Sequence, residues 1–272
     1  MIRLIVNADD FGWTRDVNDG IVYAHRSGIL TAATMMAGGT EFEHAVKLAR
    51  ETPSLDIGCH LTLLQTASAL TGRPLPRDLP RLLRAIALRE IDIYSELSAQ
   101  VRKMIAAGIL PTHLDAHKHT HILPPVASAV ARMVREFGIR WVRKPFDFGG
   151  LAGPAGWSTR LMQTQRGGLQ RKLREAGAVT TDHFAGFALT GYLDEARLLE
   201  LVGKLPEGTT ELMCHPGFCR EQLRASPTRL MESREIELRA LTSARVRSAL
   251  DTRGVQLANY VELTAALPRR LK

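Results

Sequence analysis

The chain opens with Ile2-Arg3-Leu4-Ile5-Val6-Asn7-Ala8-Asp9-Asp10-Phe11-Gly12. Its apolar, β-branched run reads as a strand buried on both faces, the kind that builds parallel sheets. It ends in two adjacent carboxylates and a glycine. Two like charges side by side are costly to ionise unless a cation sits with them. A metal ion would relieve one of them and leave the other to work as a base. The plain alternative is a strand-to-helix turn in which an aspartate caps the helix. Two further stretches tilt the reading toward chemistry: Gly58-Cys59-His60-Leu61-Thr62-Leu63 and His113-Leu114-Asp115-Ala116-His117-Lys118-His119-Thr120-His121. Each again sets metal-type side chains at the end of an apolar run.

Outward from the first strand, periodicity predicts a helix over 15–26, a strand over 31–36 and a helix to Arg50 opened by a Thr40/Glu43 capping box. A strand over 55–64 carries His60, and the Pro-, Arg- and Leu-rich loop 66–80 is long enough to be a wall or lid. Helix 91–107, strand 112–116, helix 123–137 and strand 139–143 follow. Then come a loop over 146–156, a polar helix over 158–175, a strand over 182–189 and a helix over 194–205. A strand over 209–214, one long helix over 227–250, a last strand over 255–258 and a short helix end the chain. This alternation predicts an α/β fold, a distorted TIM-like (β/α) barrel forming a single domain over 1–272, with an open sheet as the alternative. In a barrel the active site lies at the C-terminal ends of the strands. Asp9, Asp10, His60, His117 and His215 all fall at such ends.

The 272 residues can bury a full core without staples. Cys59, Cys214 and Cys219 are an odd number in a long chain, so the expectation is no disulfide framework and a reducing, cytoplasmic setting. The apolar start is too short for a signal peptide, and no stretch is long enough to span a bilayer. A net charge of +8 admits nucleic acid, an anionic membrane or an acidic substrate as partner. Its basic excess lies in 166–174 and 220–253, mixed with Glu232, Glu235 and Glu237, and reads as solvated helix faces. No nucleic-acid-binding signature accompanies it.

A catalytic metal site takes about three protein ligands and an open position. Asp10, His60 and His117 offer one oxygen and two nitrogens, a set that suits zinc best and admits magnesium or another divalent metal. In an extended chain His113, Asp115, His117, His119 and His121 would share one face. Packing rarely needs four histidines and an aspartate there. Asp115 suits a partner that orients a ligand histidine, and other members suit contact with substrate. Arg143 suits orienting Asp9 or binding substrate, with a surface ion pair as the alternative.

Together Asn7-Ala8-Asp9-Asp10-Phe11-Gly12, Gly58-Cys59-His60, the His113–His121 run and His215-Pro216-Gly217 resemble the YdjC-like carbohydrate deacetylases. Asp182-His183-Phe184-Ala185-Gly186-Phe187 leans toward the hopanoid-associated (HpnK) branch over the chitooligosaccharide deacetylases. The resemblance implies a distorted TIM-like barrel, one divalent metal and hydrolysis of an N-acetyl group on an amino sugar. It further implies Asp10, His60 and His117 as metal ligands, Asp9 as base and His215 as the late histidine, suited to be the acid. The loops 66–80 and 146–158 do not carry over and are where substrate choice should lie. Their apolar residues suit either a satellite core or a rim meeting a lipid in transient membrane contact. A homo-oligomer is compatible with the chain. The rivals are another metal-dependent hydrolase, such as a phosphoesterase, and a non-catalytic sugar- or nucleic-acid-binding protein.

Overall fold

The first strand, β1 (Ile2–Phe11), is the axis of a parallel sheet and pairs with three others. Along one edge, Ile2 to Ala8 match Gly208 to Cys214 of β7 (Gly208–Cys214). On the other edge, its first half pairs with β8 (Val255–Leu257) and its second half with β2 (Ala32–Met35). The sheet continues through β3 (Asp56–Leu61), β4 (His113–Ala116) and β5 (Trp141–Val142), and beyond β7 it adds β6 (His183–Ala185). The two outer strands approach each other. Trp141 bridges in parallel to Val179, and the Phe148 N–H donates to the Phe184 carbonyl at 2.9 Å. The ring is a distorted TIM-like barrel whose thinnest seam lies between β5 and β6. This computed structural model describes residues 1–149 and 163–266.

Strand alternation sorts β1 into two layers. Leu4, Val6 and Ala8 face the helices and join the main core with Val17 and Ile21. Ile5 belongs to a second cluster with Ala32, Trp141, Tyr260 and Leu263, inside the ring. The last helix, Tyr260–Ala265, closes the N-terminal end of the barrel: Asp56 Oδ2 accepts the Tyr260 N–H at 2.7 Å, and His113 stacks on Tyr260. Bulky interior groups at that end leave the C-terminal end for polar side chains.

Several local expectations give way. Thr40 donates to the Trp13 carbonyl, so the capping box does not form, and helix Phe42–Arg50 starts after Glu41 without a side-chain cap. The long helix is two, Glu232–Leu241 and Ala244–Thr252, because Ser243 caps the second. The loop over 66–80 ends in an unpredicted helix, Leu79–Ala87, capped by Asp78. The extended run ends at Ala116. A 3-10 turn, His117–Ile122, follows, with Lys118 and His119 at φ 51 and 54. The polar helix is described as Arg166–Glu175, and residues 150–162, including Leu151 and Trp157, lie outside the described residues.

Candidate metal centre and active site

Adjacent strand residues point to opposite faces, so Asp9 and Asp10 should not share a site. A register shift between β1 and β2 at Ala8–Phe11 removes that obstacle, and Asp10 sits at φ 70. The bulge re-aims one side chain, and both carboxylates reach the barrel mouth. His60 is the penultimate residue of β3, Asp115 lies in β4, His117 directly follows β4, Arg143 follows β5 and His215 follows β7. Gly58 is needed beneath them, because a Cβ there would stand 2.5 Å from the His113 ring.

Hydrogen bonds fix the two histidine tautomers. His60 Nδ1–H donates to Asp115 Oδ1 at 2.7 Å, and His117 Nε2–H donates to Gln65 Oε1 at 3.0 Å. The remaining lone pairs, on His60 Nε2 and His117 Nδ1, are 3.4 Å apart. Asp10 Oδ1 lies 3.5 Å from the first and 3.1 Å from the second, and it has no hydrogen-bond partner. Three electron-rich atoms meeting in a buried place repel unless a cation joins them. Ligand distances of about 2.1 Å in a tetrahedral site set donors roughly 3.4 Å apart. The spacing here fits one metal ion.

Arg143 organises the other carboxylates and is itself buried. Its Nη1 and Nη2 donate to Asp9 at 2.8 and 2.7 Å, its Nε to Glu211 at 2.7 Å, and Nη1 also meets Asp115 Oδ2 at 2.6 Å. Thr34 adds a hydroxyl to Asp115 at 3.0 Å. The surface ion pair held open for Arg143 is excluded by this burial. Burial pushes Asp9 up to about 6 against the pull of Arg143. Burial alone would lower His60, but Asp115 and Asp9 push it up to about 9, so with no cation at the site a proton occupies Nε2, and a bound metal would take that proton's place. Burial also opposes ionisation of Asp10, yet the Arg234 guanidinium beside it holds it well below the usual carboxylate range.

The basic stretch 220–253, read as solvated, supplies a buried partner. Arg234 is 1% exposed; its Nη2 lies 2.5 Å from Asp10 Oδ2 and its Nε donates to the Leu230 carbonyl at 3.3 Å. One turn on, Glu237 is equally buried. Its Oε2 accepts the His215 N–H at 2.5 Å and lies 4.0 Å from His215 Nδ1. One helix therefore holds both a candidate ligand and a candidate acid. Close packing of Gly20 on Gly217 seats the same loop, since a Cβ on Gly20 would lie 2.5 Å from Gly217 Cα. His215 Nε2 is 4.0 Å from Asp9 Oδ2, and burial lowers its imidazole to about 3. Asp9, Asp10, Asp115, Glu211 and Glu237 are buried carboxyl groups around two guanidiniums, Arg143 and Arg234, a surplus of acids that favours a cation.

The structure does not gather the whole histidine run. His113 lies below the site, between Thr112 and Asn7. His119 packs against Phe184 and Phe187, and His121 Nε2 meets the Arg143 carbonyl at 3.1 Å. None of these three reaches the Asp10–His60–His117 group. No motif in the sequence marks Gln65, Thr34, Glu211 or Arg234 as part of the site, and Glu237, expected on a solvated helix face, is buried because it turns in to the His215 N–H. The spacing of Arg234 and Glu237, three apart on one helix face, is the signal that could have found that pair. The cysteines are free and buried, and among the described residues no helix is long and apolar enough to cross a membrane.

Barrel and mouth together define a class: α/β-barrel proteins able to hold one metal ion between a carboxylate and two histidines. Within that class, the YdjC-like protein family matches residues 3–252, and the chain belongs to it. A carbohydrate deacetylase of Brevibacillus brevis is 33% identical over 96% of this chain and 100% of its own length. A carbohydrate deacetylase of Geobacillus stearothermophilus is also 33% identical, over 95% of this chain and 96% of its own. A crystal structure of an Enterococcus faecalis V583 protein assigned to cellobiose-phosphate cleavage superposes with a TM-score of 0.74 at 25% identity. It covers 96% of this chain and 98% of that one.

Proposed function

We propose that this chain is a metal-dependent carbohydrate deacetylase that hydrolyses the N-acetyl group of an amino sugar of the N-acetylglucosamine type. The coarse class, a hydrolase of acetylated sugars, rests on kinship over nearly the whole chain with two carbohydrate deacetylases. The observation that carries the metal is the convergence of Asp10 Oδ1, His60 Nε2 and His117 Nδ1, with Asp10 Oδ1 otherwise unpartnered. A divalent metal held there supplies Lewis acidity to the attacking water and to the acetyl carbonyl oxygen. Zinc suits the donor set best, with magnesium or another divalent metal as alternatives.

The chain's own groups handle the protons. Asp9, locked by Arg143, takes a proton from the attacking water. The departing amine must leave protonated, and His215 is the group that delivers the proton. A buried imidazole lowered to about 3 is neutral at rest, so its proton arrives during the reaction. Asp9 Oδ2, 4.0 Å from His215 Nε2, is the neighbour able to pass it on. Asp115 holds His60, and Gln65 holds His117, in the tautomers that turn lone pairs inward.

For the acceptor, the reading preferred over a free chitooligosaccharide is a lipid-borne amino sugar such as a glycosylated hopanoid. Part of the apolar rim supports it: Leu70 and Leu79 are exposed, whereas Leu75 and Phe146 fold inward as core. Acetate release with the purified protein, with and without chelator, tests the chemistry. Running N-acetylglucosaminyl lipid beside short chitooligosaccharides tests the acceptor; preference for the soluble sugar overturns the lipid reading alone.

A further inference from the structure

The helix Leu79–Ala87 carries its apolar surface beyond the face it buries. Leu82 and Ala85 face the core, as expected. Beside that face lie Leu79 and Leu83, one turn apart and 44% and 45% exposed. Leu70, on the preceding hairpin, and Leu88, just past the helix, are 54% and 55% exposed. These four leucines lie within nineteen residues of sequence, and isolated exposed leucines elsewhere would need no explanation.

Arginines surround them. Arg73, Arg77, Arg81, Arg84 and Arg89 face only Asp78 and Glu90 as acids within 70–90. Asp78 is engaged as the helix cap and as partner of Arg81. Arg73, Arg77, Arg81 and Arg84 line a cleft of about 600 Å³ under the hairpin together with Glu90, Asp92 and Glu96, of which Asp92 is committed to capping the helix Ile93–Ala106 and Glu96 to the hairpin backbone. The patch also adjoins the barrel mouth. Its hairpin begins at Gln65, whose side chain holds His117 at 3.0 Å. Glu96 anchors the hairpin by accepting from Ser68 Oγ and the Ala69 and Leu70 N–H groups.

We infer that Leu70, Leu79, Leu83 and Leu88, with the surrounding arginines, form a docking face for an anionic lipid bilayer, presenting the barrel mouth to the membrane surface. Leucines flanked by arginines combine shallow apolar insertion with attraction to anionic headgroups. A second copy of the chain suits the face less. A two-fold contact would bring two arginine rims together, and like charges oppose it. The inference goes beyond the proposed chemistry and stands on vesicle binding alone, so either can fail without the other.

The test is co-sedimentation of the full chain with vesicles of phosphatidylcholine alone and of phosphatidylcholine with phosphatidylglycerol. Binding is expected to the anionic vesicles, weakening as salt rises. Leu79→Glu/Leu83→Glu should lower the partition coefficient on the order of tenfold or more, with an unchanged melting temperature because both side chains are solvent-exposed. Arg77→Glu/Arg84→Glu serves as a second variant that leaves the leucines in place and should weaken binding similarly. No binding to anionic vesicles, or equal binding by both variants and wild type, overturns the inference. Self-association in sedimentation velocity that the leucine variant abolishes, without vesicle binding by wild type, assigns the face to a second copy and overturns it too.

Discussion

Arg234 Nη2 lies 2.5 Å from Asp10 Oδ2, while Asp10 Oδ1 has no hydrogen-bond partner and faces two histidine nitrogens. One oxygen of the carboxylate is thus committed to the protein and the other left for a metal. Both partners are buried. Removing Arg234 strands a buried carboxylate, a change that costs about 3–5 kcal/mol in such pairs. Arg234→Ala should lower the urea midpoint accordingly and weaken metal binding, and Arg234→Lys should fall between it and wild type. Wild-type stability and metal affinity in the alanine variant would show that the contact positions nothing.

Metal content tests the ligand set without reference to turnover. Wild type should bind one divalent ion per chain. His60→Ala and His117→Ala should bind little at the same free metal concentration, with far-UV circular dichroism unchanged. Asp115→Asn, which weakens the partner of His60 and also the contact of Asp115 with Arg143, should retain binding at about 10- to 100-fold lower affinity. Full occupancy in His60→Ala would remove that residue from the ligands.

Asp9 separates binding from chemistry. It is absent from the Asp10–His60–His117 group, and the other close set it belongs to, Asp9, His60 and Asp115, is held together by Arg143 and by the His60 Nδ1–H on Asp115. Asp9→Asn should therefore keep its metal and lose turnover by roughly 10²- to 10⁴-fold, the scale of a general base. Turnover at the wild-type rate would place the base elsewhere.

Strand-end chemistry was legible because it follows strand period and chain order: β1, β3 and β4 appear in the sequence as apolar runs ending in Asp or His. The barrel followed from their alternation with helices. The rest was hidden for physical reasons. Arg234 lies in a stretch whose composition reads as solvated, and only its distant contact with Asp10 explains its burial. Period two failed after Ala116 because Lys118 and His119 leave extended geometry, which no side-chain pattern records. Thr40 was drawn from its expected cap by the Trp13 carbonyl, a competition decided by tertiary structure. Lone motifs such as Gly58-Cys59-His60 carried little by themselves, and their weight came from position in the ring.

Glu237 supplies a pH signature. Burial raises its carboxyl from the ordinary 4.5 to about 7, although the His215 N–H bonded to it acts in the opposite direction. A carboxyl raised on folding binds its proton more tightly in the folded chain. Its contribution is most favourable below 4.5 and is lost as pH rises toward 7. Across that window the loss amounts to about 3 kcal/mol. Glu237→Gln cannot ionise. It also offers one carbonyl acceptor where the carboxylate serves both His215 and Gly191, so it should start about 1 kcal/mol less stable at pH 4.5. Between pH 4.5 and 7 its stability relative to wild type should then climb, and the two unfolding curves should converge or cross. Urea unfolding of both proteins at fixed metal concentration across that range reads the difference directly. A constant offset from pH 4.5 to 7 would mean that Glu237 titrates alike in the folded and unfolded chain, and that its contact with the His215 loop is held by other groups.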